Sequence, residues 1–295
     1  AILRSVIREQ DSIGIEDLAA NDVEAISFIY NIPLWLINLW ISEFGRDKTE
    51  DLCAWFNEPP KLTARINTIL IDIPQCLTML NEQGWAVTQD SNYEDIIYIN
   101  SHRGSLEKSE AFIKGYITFM DKASMLVARL VNPQPGERIL DCCAAPGGKS
   151  MYMATLMDNV GSLMSCDIHE HKIELMNSNA DRLGASIVHT KVQDATKLPD
   201  SWNSYFDRVL VDAPCSGLGI LQKKLDMRWR KQESILSELP PLQLAILERA
   251  AMTVKEKGYL IYSTCTLNYK ENEEVVEAFL QKHKEFSIIP VADDF

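Results

Sequence analysis

Two cysteines stand at the same kind of position, where an apolar run of the sequence stops. Cys215 lies in DAPCSG and Cys265 lies in STCT. Turn-forming residues surround both thiols, whereas a cysteine that fills a core has apolar neighbours. Two thiols in this setting can divide one reaction, with one attacking an electron-poor ring and the other helping to release it. A Cys–His hydrolase is disfavoured, since no histidine lies in either motif.

The other cysteines indicate a reducing environment and no metal. We interpret four of them as small buried hydrophobic residues, namely Cys53, Cys76, Cys142 and Cys166. The total of seven is odd and forms no compact framework, which favours a cytoplasmic protein over a disulfide scaffold. No C-x-x-C pair occurs, so no metal site is predicted.

The composition limits the possible partners. The 295 residues are 46% hydrophobic and 24% charged, which is typical of a soluble protein. No apolar stretch reaches the roughly 18 residues of a membrane span, and no secretion leader is evident, so no membrane partner is expected. The net charge of −13 excludes indiscriminate coating of nucleic acid, so an RNA contact requires a local basic patch. We expect a monomer.

Three regions follow one another along the chain. Residues 1–58 repeat apolar residues at helical spacing and predict a helical segment. Residues 59–120 alternate short strands with a helix, which predicts a small α+β module and a connector. In residues 121–295 continuous apolar strands alternate with amphipathic helices. That pattern predicts an α/β, Rossmann-like domain whose parallel sheet is covered on both faces.

Acidic residues mark the end of this predicted sheet where ligands bind. Asp141, Asp167 and Asp212 end the first, second and fourth strands, and Asp194 follows the third. If the fourth and fifth strands are neighbours, Cys215 and Cys265 face one crevice.

The loop after the first strand narrows the choice of ligand. A phosphate-binding P-loop is excluded because Cys143 stands where its first glycine belongs, and the G-x-G-x-x-G pattern is absent. Gly147 and Gly148 still allow close backbone approach at a helix N-terminus. Asp167 closes the second strand 20 residues after Gly147, where an acid binds the two hydroxyls of an adenosine ribose in this topology. Acids around an adenosine without a phosphate clamp point to S-adenosylmethionine, whose sulfonium is positive.

Three motifs, DCCAAPGGKS, DAPCSGLG and STCTL, resemble those of the RNA cytosine-C5 methyltransferases of the Sun and nucleolar Nop families. The likeness is greatest to the members that act on 16S ribosomal RNA. It extends over roughly residues 33–285 through EPPKLTARIN, FIKGYITFMDKAS, LDMRWRK and YKENEEVV. Met120 departs from the usual Gln, and Leu225 from a common Pro. AILRSVIRE resembles the end of the family's NusB-like helical domain, and VADDF stops before its last strand, so we interpret both ends as trimmed.

The resemblance implies a class I S-adenosylmethionine-dependent methyltransferase with an RRM-like α+β module. It assigns Cys265 as the nucleophile toward cytosine C6, Asp212 as the partner of N3, and Cys215 as the residue that assists release. Asp167 holds the ribose, Asp194 lies at the adenine, and Lys149 is the candidate cation that activates Cys265. The cofactor, which leaves as S-adenosylhomocysteine, is further bound by Cys143, Ala144, Ala145, Pro146, Gly147, Gly148, Lys149 and Asp212.

The segment KKLDMRWRK, residues 223–231, holds five basic residues in nine with one Trp. It predicts an RNA-strand contact, although a solvated helix face fits the composition equally well. The predicted contact residues are Lys223, Lys224, Arg228, Arg230 and Lys231, with Arg65 and Lys114 as weaker candidates. Two other functions stay open, a transfer RNA cytosine-C5 methyltransferase and a non-catalytic RNA-binding ribosome-assembly factor. Both cysteines and all the acids are present, which disfavours the second.

Overall fold

The computed structural model describes residues 22–291, which fall into two compact units. The first, the helical unit, comprises residues 22–60, 216–239 and 265–270. The second, the sheet unit, comprises residues 61–215, 240–264 and 271–291. The AILRSVIRE motif and all but the first residue of VADDF lie outside the described residues. The domain boundaries at 58 and 120 stay a prediction.

The elements alternate in the order that the sequence pattern predicts. The helices are α1 (Asp22–Tyr30), α2 (Leu34–Phe44), α3 (Arg46–Asn57), α4 (Ile73–Glu82), α5 (Glu110–Ile113), α6 (Lys122–Leu130), α7 (Gly148–Leu156), α8 (Glu170–Leu183), α9 (Met227–Arg230), α10 (Ile235–Ala251) and α11 (Glu273–Lys282). The strands are β1 (Thr63–Ile66), β2 (Ala86–Gln89), β3 (Ile96–Ser101), β4 (Ile117–Phe119), β5 (Arg138–Asp141), β6 (Ser162–Asp167), β7 (Val188–Val192), β8 (Phe206–Asp212) and β9 (Val254–Ser263).

Apolar side chains from α1 to α3 form the core of the helical unit. Trp40 stacks on Phe56 with ring centroids 5.5 Å apart, and Leu218 and Leu221 pack into the same cluster. Among residues 22–291 no single helix is long and apolar enough to cross a membrane. Only α1 and α2 taken together meet that test, and they are bent by 113° at their break.

The small α+β module forms a four-stranded antiparallel sheet in the order β2-β3-β1-β4. Asp72 caps α4 by accepting a hydrogen bond from the Gln75 amide at 2.8 Å, which satisfies an otherwise unpaired N–H of the first turn. Strand β4 was expected to be connector. Three residues are too few for alternation to be recognised, and it is the pairing with β1 that makes them a strand.

The larger sheet has five parallel strands in the order β7-β6-β5-β8-β9, which confirms the predicted α/β fold. Separate apolar clusters cover its two faces, as expected for parallel strands. The sequence predicts helix as far as residue 258, but α10 ends at Ala251 and β9 begins at Val254. Val254 pairs with Phe206 and Tyr259 with Arg208, so the charged residues between them form a bulge in β9 instead of a helical turn.

Arg65 joins the α+β module to helix α7 from inside the sheet unit. Its side chain is fully buried, donates to the Thr155 hydroxyl at 3.1 Å and lies 5.0 Å from the Tyr152 ring centroid. Tyr152 in turn donates to Asp95 at 2.7 Å. Burial lowers the pKa of Arg65 to about 10. A buried guanidinium cannot reach an RNA phosphate, which corrects the RNA-contact prediction for this residue.

Candidate active site

The carboxyl ends of the parallel strands bring together three acids that the sequence singled out and one serine that it did not. Asp141, Asp167, Asp212 and Ser263 are the last residues of β5, β6, β8 and β9. Strands β8 and β9 are neighbours, and Asp212 pairs with Ser263 in their register. Parallel strands direct these ends to one edge of the sheet, so the four side chains belong to one ligand-binding edge.

The loop between β5 and α7 is fixed to this edge by its backbone. The Cys142 amide donates to the Leu210 carbonyl at 2.9 Å, and the Ala144 amide donates to the Cys166 carbonyl at 2.7 Å. Gly147 takes φ +99° at the start of α7, a left-handed conformation that favours glycine. A Cβ at Gly147 would also lie 3.2 Å from Cγ of Met176. The loop is therefore held in one shape against two strands of the sheet.

Asp141 lies beneath this loop and is fully buried. Its Oδ2 accepts from the Ser150 hydroxyl at 2.7 Å, and Ser150 accepts from Ser165 at 2.8 Å. Burial raises the pKa of Asp141 to about 7, with the Ser150 hydrogen bond opposing the rise and the Asp212 charge adding to it. Ser150 was visible in the sequence only as the end of the GGKS motif, and no pattern linked Ser165 to it.

Asp167 and Asp194 differ in how much of each carboxylate is already used. Asp167 is 7% exposed, and both of its side-chain contacts are made by Oδ1, from the His169 amide at 3.0 Å and Lys172 at 3.5 Å. Asp194 caps the following turn through Oδ1, which accepts from the hydroxyl and amide of Thr196 at 2.6 and 2.9 Å. Its Oδ2 lies 3.4 Å from Lys197 Nζ, so both oxygens of Asp194 have partners. These hydrogen bonds from Thr196 lower the pKa of Asp194.

Asp212 is held from two sides. Lys149 Nζ lies 2.5 Å from its Oδ2, and the Ser263 hydroxyl donates to its Oδ1 at 2.8 Å. The sequence placed Lys149 near the methyl donor as the cation for Cys265, but here its ammonium pairs with Asp212. Ser263, which was not predicted, fixes the second oxygen from the neighbouring strand.

The seven thiols separate by burial. The four cysteines expected in the core are buried, which confirms that interpretation. Burial and the nearby carboxylates raise the pKa of the Cys143 thiol well above its usual range, so it is held neutral. Cys215 is partly exposed and Cys265 is exposed. Along the chain Cys215 follows Asp212 by three residues and Cys265 follows Ser263 by two.

The backbone around Cys265 is packed against the loop that follows Cys215. Within the helical unit, the Gly219 amide donates to the Cys265 carbonyl at 2.9 Å. The hydroxyls of Ser216 and Thr266 are hydrogen-bonded at 2.8 Å. Neither contact could be predicted from the sequence, because the partners are about fifty positions apart and have no distinctive spacing.

The basic segment 223–231 is exposed at most of its positions but not at Arg228. Lys223, Lys224 and Arg230 lie at the surface, whereas Arg228 is 2% exposed. Its guanidinium donates to the Phe56 carbonyl at 2.6 Å and to Oδ1 of Asn57 at 2.7 Å. Arg228 therefore satisfies acceptors at the end of α3 and has no surface to offer a phosphate, which corrects its predicted RNA contact. Among residues 22–291 no cluster of three or more potential ligand side chains could hold a metal ion.

Two family models match the chain. The model of the 16S rRNA methyltransferase RsmB/F family matches residues 128–294, and that of the RsmF/B-like ferredoxin-like domain matches residues 32–104. The chain is 39% identical over 286 residues to a probable ribosomal RNA small subunit methyltransferase B of Bacillus subtilis. That alignment covers 97% of this chain and 63% of the relative, so the chain spans less than two thirds of its length.

Solved structures agree with the fold. The crystal structure of PH0851 matches with a TM-score of 0.88 and 33% identity, over 93% of this chain and 62% of that one. A methyltransferase homologue from Pyrococcus horikoshii matches with a TM-score of 0.79 and 25% identity, over 89% of this chain and 83% of that one. These matches confirm the predicted methyltransferase fold.

Proposed function

This chain belongs to the 16S rRNA methyltransferase RsmB/F family, and from that premise we propose that it transfers a methyl group from S-adenosylmethionine to C5 of a cytosine in RNA, with 16S ribosomal RNA as the substrate. The observation that carries the proposal is the hydrogen bond between Asp212 and Ser263 at the ends of β8 and β9. It fixes the two strand ends from which the segments bearing Cys215 and Cys265 begin.

The carboxylates and the loop of the sheet edge fit the cofactor. S-adenosylmethionine supplies the methyl group and leaves as S-adenosylhomocysteine. Oδ2 of Asp167 makes no hydrogen bond or ion pair with a described residue, so it can accept from a ribose hydroxyl. The backbone of residues 143–149 would hold the methionine part, since its amides and the N-terminus of α7 suit a carboxylate. The role of Asp194 at the adenine is supported by its position after β7.

The RNA base has to be activated before it can accept a methyl group at C5. In the proposed reaction the Cys265 thiolate forms a bond to C6, and the electron pair of the C5–C6 double bond attacks the methyl carbon. A base then removes the C5 proton, the C5–C6 double bond forms again, and the bond between C6 and Cys265 breaks. We assign Cys215 to this second half of the reaction. The target cytosine must lie in a loop or be turned out of its helix to be reached.

The ion pair between Lys149 and Asp212 keeps the Asp212 carboxylate oriented for the cytosine. Addition at C6 is easier when N3 carries a proton, and the Asp212 carboxylate is the proposed acceptor of that N3–H. Lys149 and Ser263 hold its two oxygens at 2.5 and 2.8 Å, which fixes the carboxylate before substrate arrives. An orienting group of this kind saves the cost of arranging the site during the reaction.

Transfer of label from methyl-tritiated S-adenosylmethionine tests the proposal. Unmodified 16S ribosomal RNA should gain label that digestion recovers as 5-methylcytidine, and unmodified transfer RNA should gain none. Label recovered from transfer RNA alone would assign the second substrate class. Label at another nucleoside, or none in the presence of bound cofactor, would contradict the proposed chemistry.

A further inference from the structure

Two tryptophans of the helical unit are unusually exposed. Trp55, near the end of α3, is 47% exposed, and Trp229, in α9, is 60% exposed. Tryptophan is a large side chain that proteins mostly bury, so two at the surface of one unit need an explanation. Leu225, four residues before Trp229 in the chain, is also 60% exposed.

Polar contacts fix the segments that carry the two rings to one another. Gln222 donates to the Trp55 carbonyl at 3.0 Å, and Arg228, next to Trp229 in the chain, donates to the Phe56 carbonyl at 2.6 Å. The guanidinium also reaches Asn57, so three successive residues at the end of α3 are tied to the 222–228 segment. The two segments that carry the exposed rings are therefore fixed to each other by hydrogen bonds.

The segment that carries Trp229 has a charge opposite to that of the whole chain. The net charge of the protein is −13, yet residues 222–232 contain five basic residues and one acid. Lys223 and Lys224 lie at the surface, and Arg230 lies 3.4 Å from Asp226 of the same segment. Local positive charge interleaved with exposed aromatic rings is complementary to a single nucleic-acid strand, whose phosphates are negative and whose bases stack.

A continuous run of backbone contacts connects this surface to Cys265. The Gly219 amide binds the Cys265 carbonyl, and the amides of Lys223 and Lys224 both bind the carbonyl of Ile220 at 3.0 and 3.1 Å. The Met227 amide then binds the Lys224 carbonyl at 3.0 Å and begins α9. The lysines and Trp229 are therefore positioned from the same turn that holds Cys265.

We propose that Trp55 and Trp229, with Lys223 and Lys224, form a platform for single-stranded RNA. Bases stack on the two tryptophans, and the two lysines contact the phosphates of the RNA backbone. This inference rests on the proposed function, because it supplies the segment that leads an RNA strand to Cys265. The platform recognises an unpaired strand, not a sequence, since every base has a face that can stack on tryptophan. The target cytosine then arrives already unpaired.

The test compares two ligands that carry equal phosphate charge. Fluorescence anisotropy measures binding of a labelled oligouridylate of about twelve nucleotides, a length that one such surface can cover, and of its abasic analogue. The wild-type protein should prefer the oligouridylate. Trp229→Ala and Trp55→Ala should each weaken the binding of the oligouridylate by about 5-fold or more. The affinity for the abasic ligand should stay unchanged. Tyr205→Ala, which removes an aromatic ring 42% exposed on the sheet unit, is the matched control.

Phosphate contacts are measured separately. The double variant Lys223→Gln, Lys224→Gln should weaken the binding of both ligands equally. The slope of log affinity against log salt concentration should decrease by the contribution of about two phosphate contacts. Trp229→Phe should restore most of the preference for bases, which a fold defect would not allow. Equal binding of both ligands to the wild-type and Trp229→Ala proteins would overturn the platform and leave the surface to a protein partner. Loss of methyl transfer with normal base preference would instead count against the proposed reaction.

Discussion

The amide nitrogen of Gly219 lies 2.9 Å from the carbonyl oxygen of Cys265, and a Cβ built on Gly219 would lie 2.9 Å from the same oxygen. Both backbones therefore approach as closely as a glycine permits. Any larger residue at 219 has to push the Cys265 segment away, since the obstructing atom belongs to the backbone and not to a flexible side chain.

Gly219→Ala should reduce methyl transfer by about 100-fold, because a shift of about 1 Å in a reacting group is enough for that loss. The affinity for S-adenosylmethionine should stay within about twofold. The control is Gly104→Ala, where φ is +74° but nothing lies within 4 Å of the added Cβ. It should lower the free energy of unfolding by about 1 kcal/mol and leave the reaction rate unchanged. Equal rates for both variants would show that the position of Cys265 does not depend on Gly219.

Asp141 should make the stability of the protein depend on pH. Its pKa is about 7 in the folded chain and 3.8 in a model compound, so the folded state holds a proton that the unfolded state loses between those values. Stability should therefore fall as pH rises from about 4 to 7, by up to about 1.4 kcal/mol per pH unit from this group. Asp141→Asn should remove that slope, so its free energy of unfolding should increase relative to that of the wild type as pH rises. Urea unfolding at pH 5 and pH 8 measures it, and parallel profiles of the two proteins would refute the assignment.

Much of this arrangement could be predicted from the sequence, because parallel strands are recognisable as apolar runs with a polar residue at the carboxyl end. Asp141, Asp167 and Asp212 could be placed in that way. The adjacency of β8 and β9 was only a condition at the level of the sequence, and the strand order meets it. Arg65 and Arg228 were assigned to RNA because charge alone does not show burial. Both are buried through partners far away in the chain, Thr155 and Phe56, which no local pattern indicates.

Asp167→Ala should weaken the binding of S-adenosylmethionine by about 10-fold or more, since a hydrogen bond to a charged acceptor contributes about 1.5–3 kcal/mol. Calorimetry with S-adenosylmethionine and ATP measures it, and ATP should give no heat because the loop of residues 143–149 lacks a P-loop. Asp200→Ala, with a side chain 92% exposed, serves as the control. Tight ATP binding, or full cofactor affinity in Asp167→Ala, would contradict the cofactor site.

Arg65→Met should destabilise the fold without weakening the binding of RNA. Removing one member of a buried charged network typically costs about 3–5 kcal/mol, and Arg65 connects α7 to Asp95 through Tyr152. Thermal unfolding reports the loss, with the exposed Lys61→Met as control. The salt dependence of RNA binding should be the same as in the wild type. A smaller salt slope in Arg65→Met would mean that the guanidinium does contact phosphate.

The two cysteines should fail in different ways, because they are assigned to different halves of one reaction. Without Cys265 no bond to C6 can form, so Cys265→Ala should give neither methylation nor a covalent complex. Without Cys215 the attack and the methyl transfer stay possible but the release is impaired, so RNA should stay bonded to Cys265. The double variant should behave as Cys265→Ala does, since attack precedes release.

A denaturing gel of each variant with target RNA and S-adenosylmethionine tests the central claim most directly. We expect a slowly migrating protein–RNA band from Cys215→Ala and none from Cys265→Ala or the double variant. A band from Cys265→Ala alone would reverse the two roles, and the absence of a band from every variant would contradict the covalent reaction.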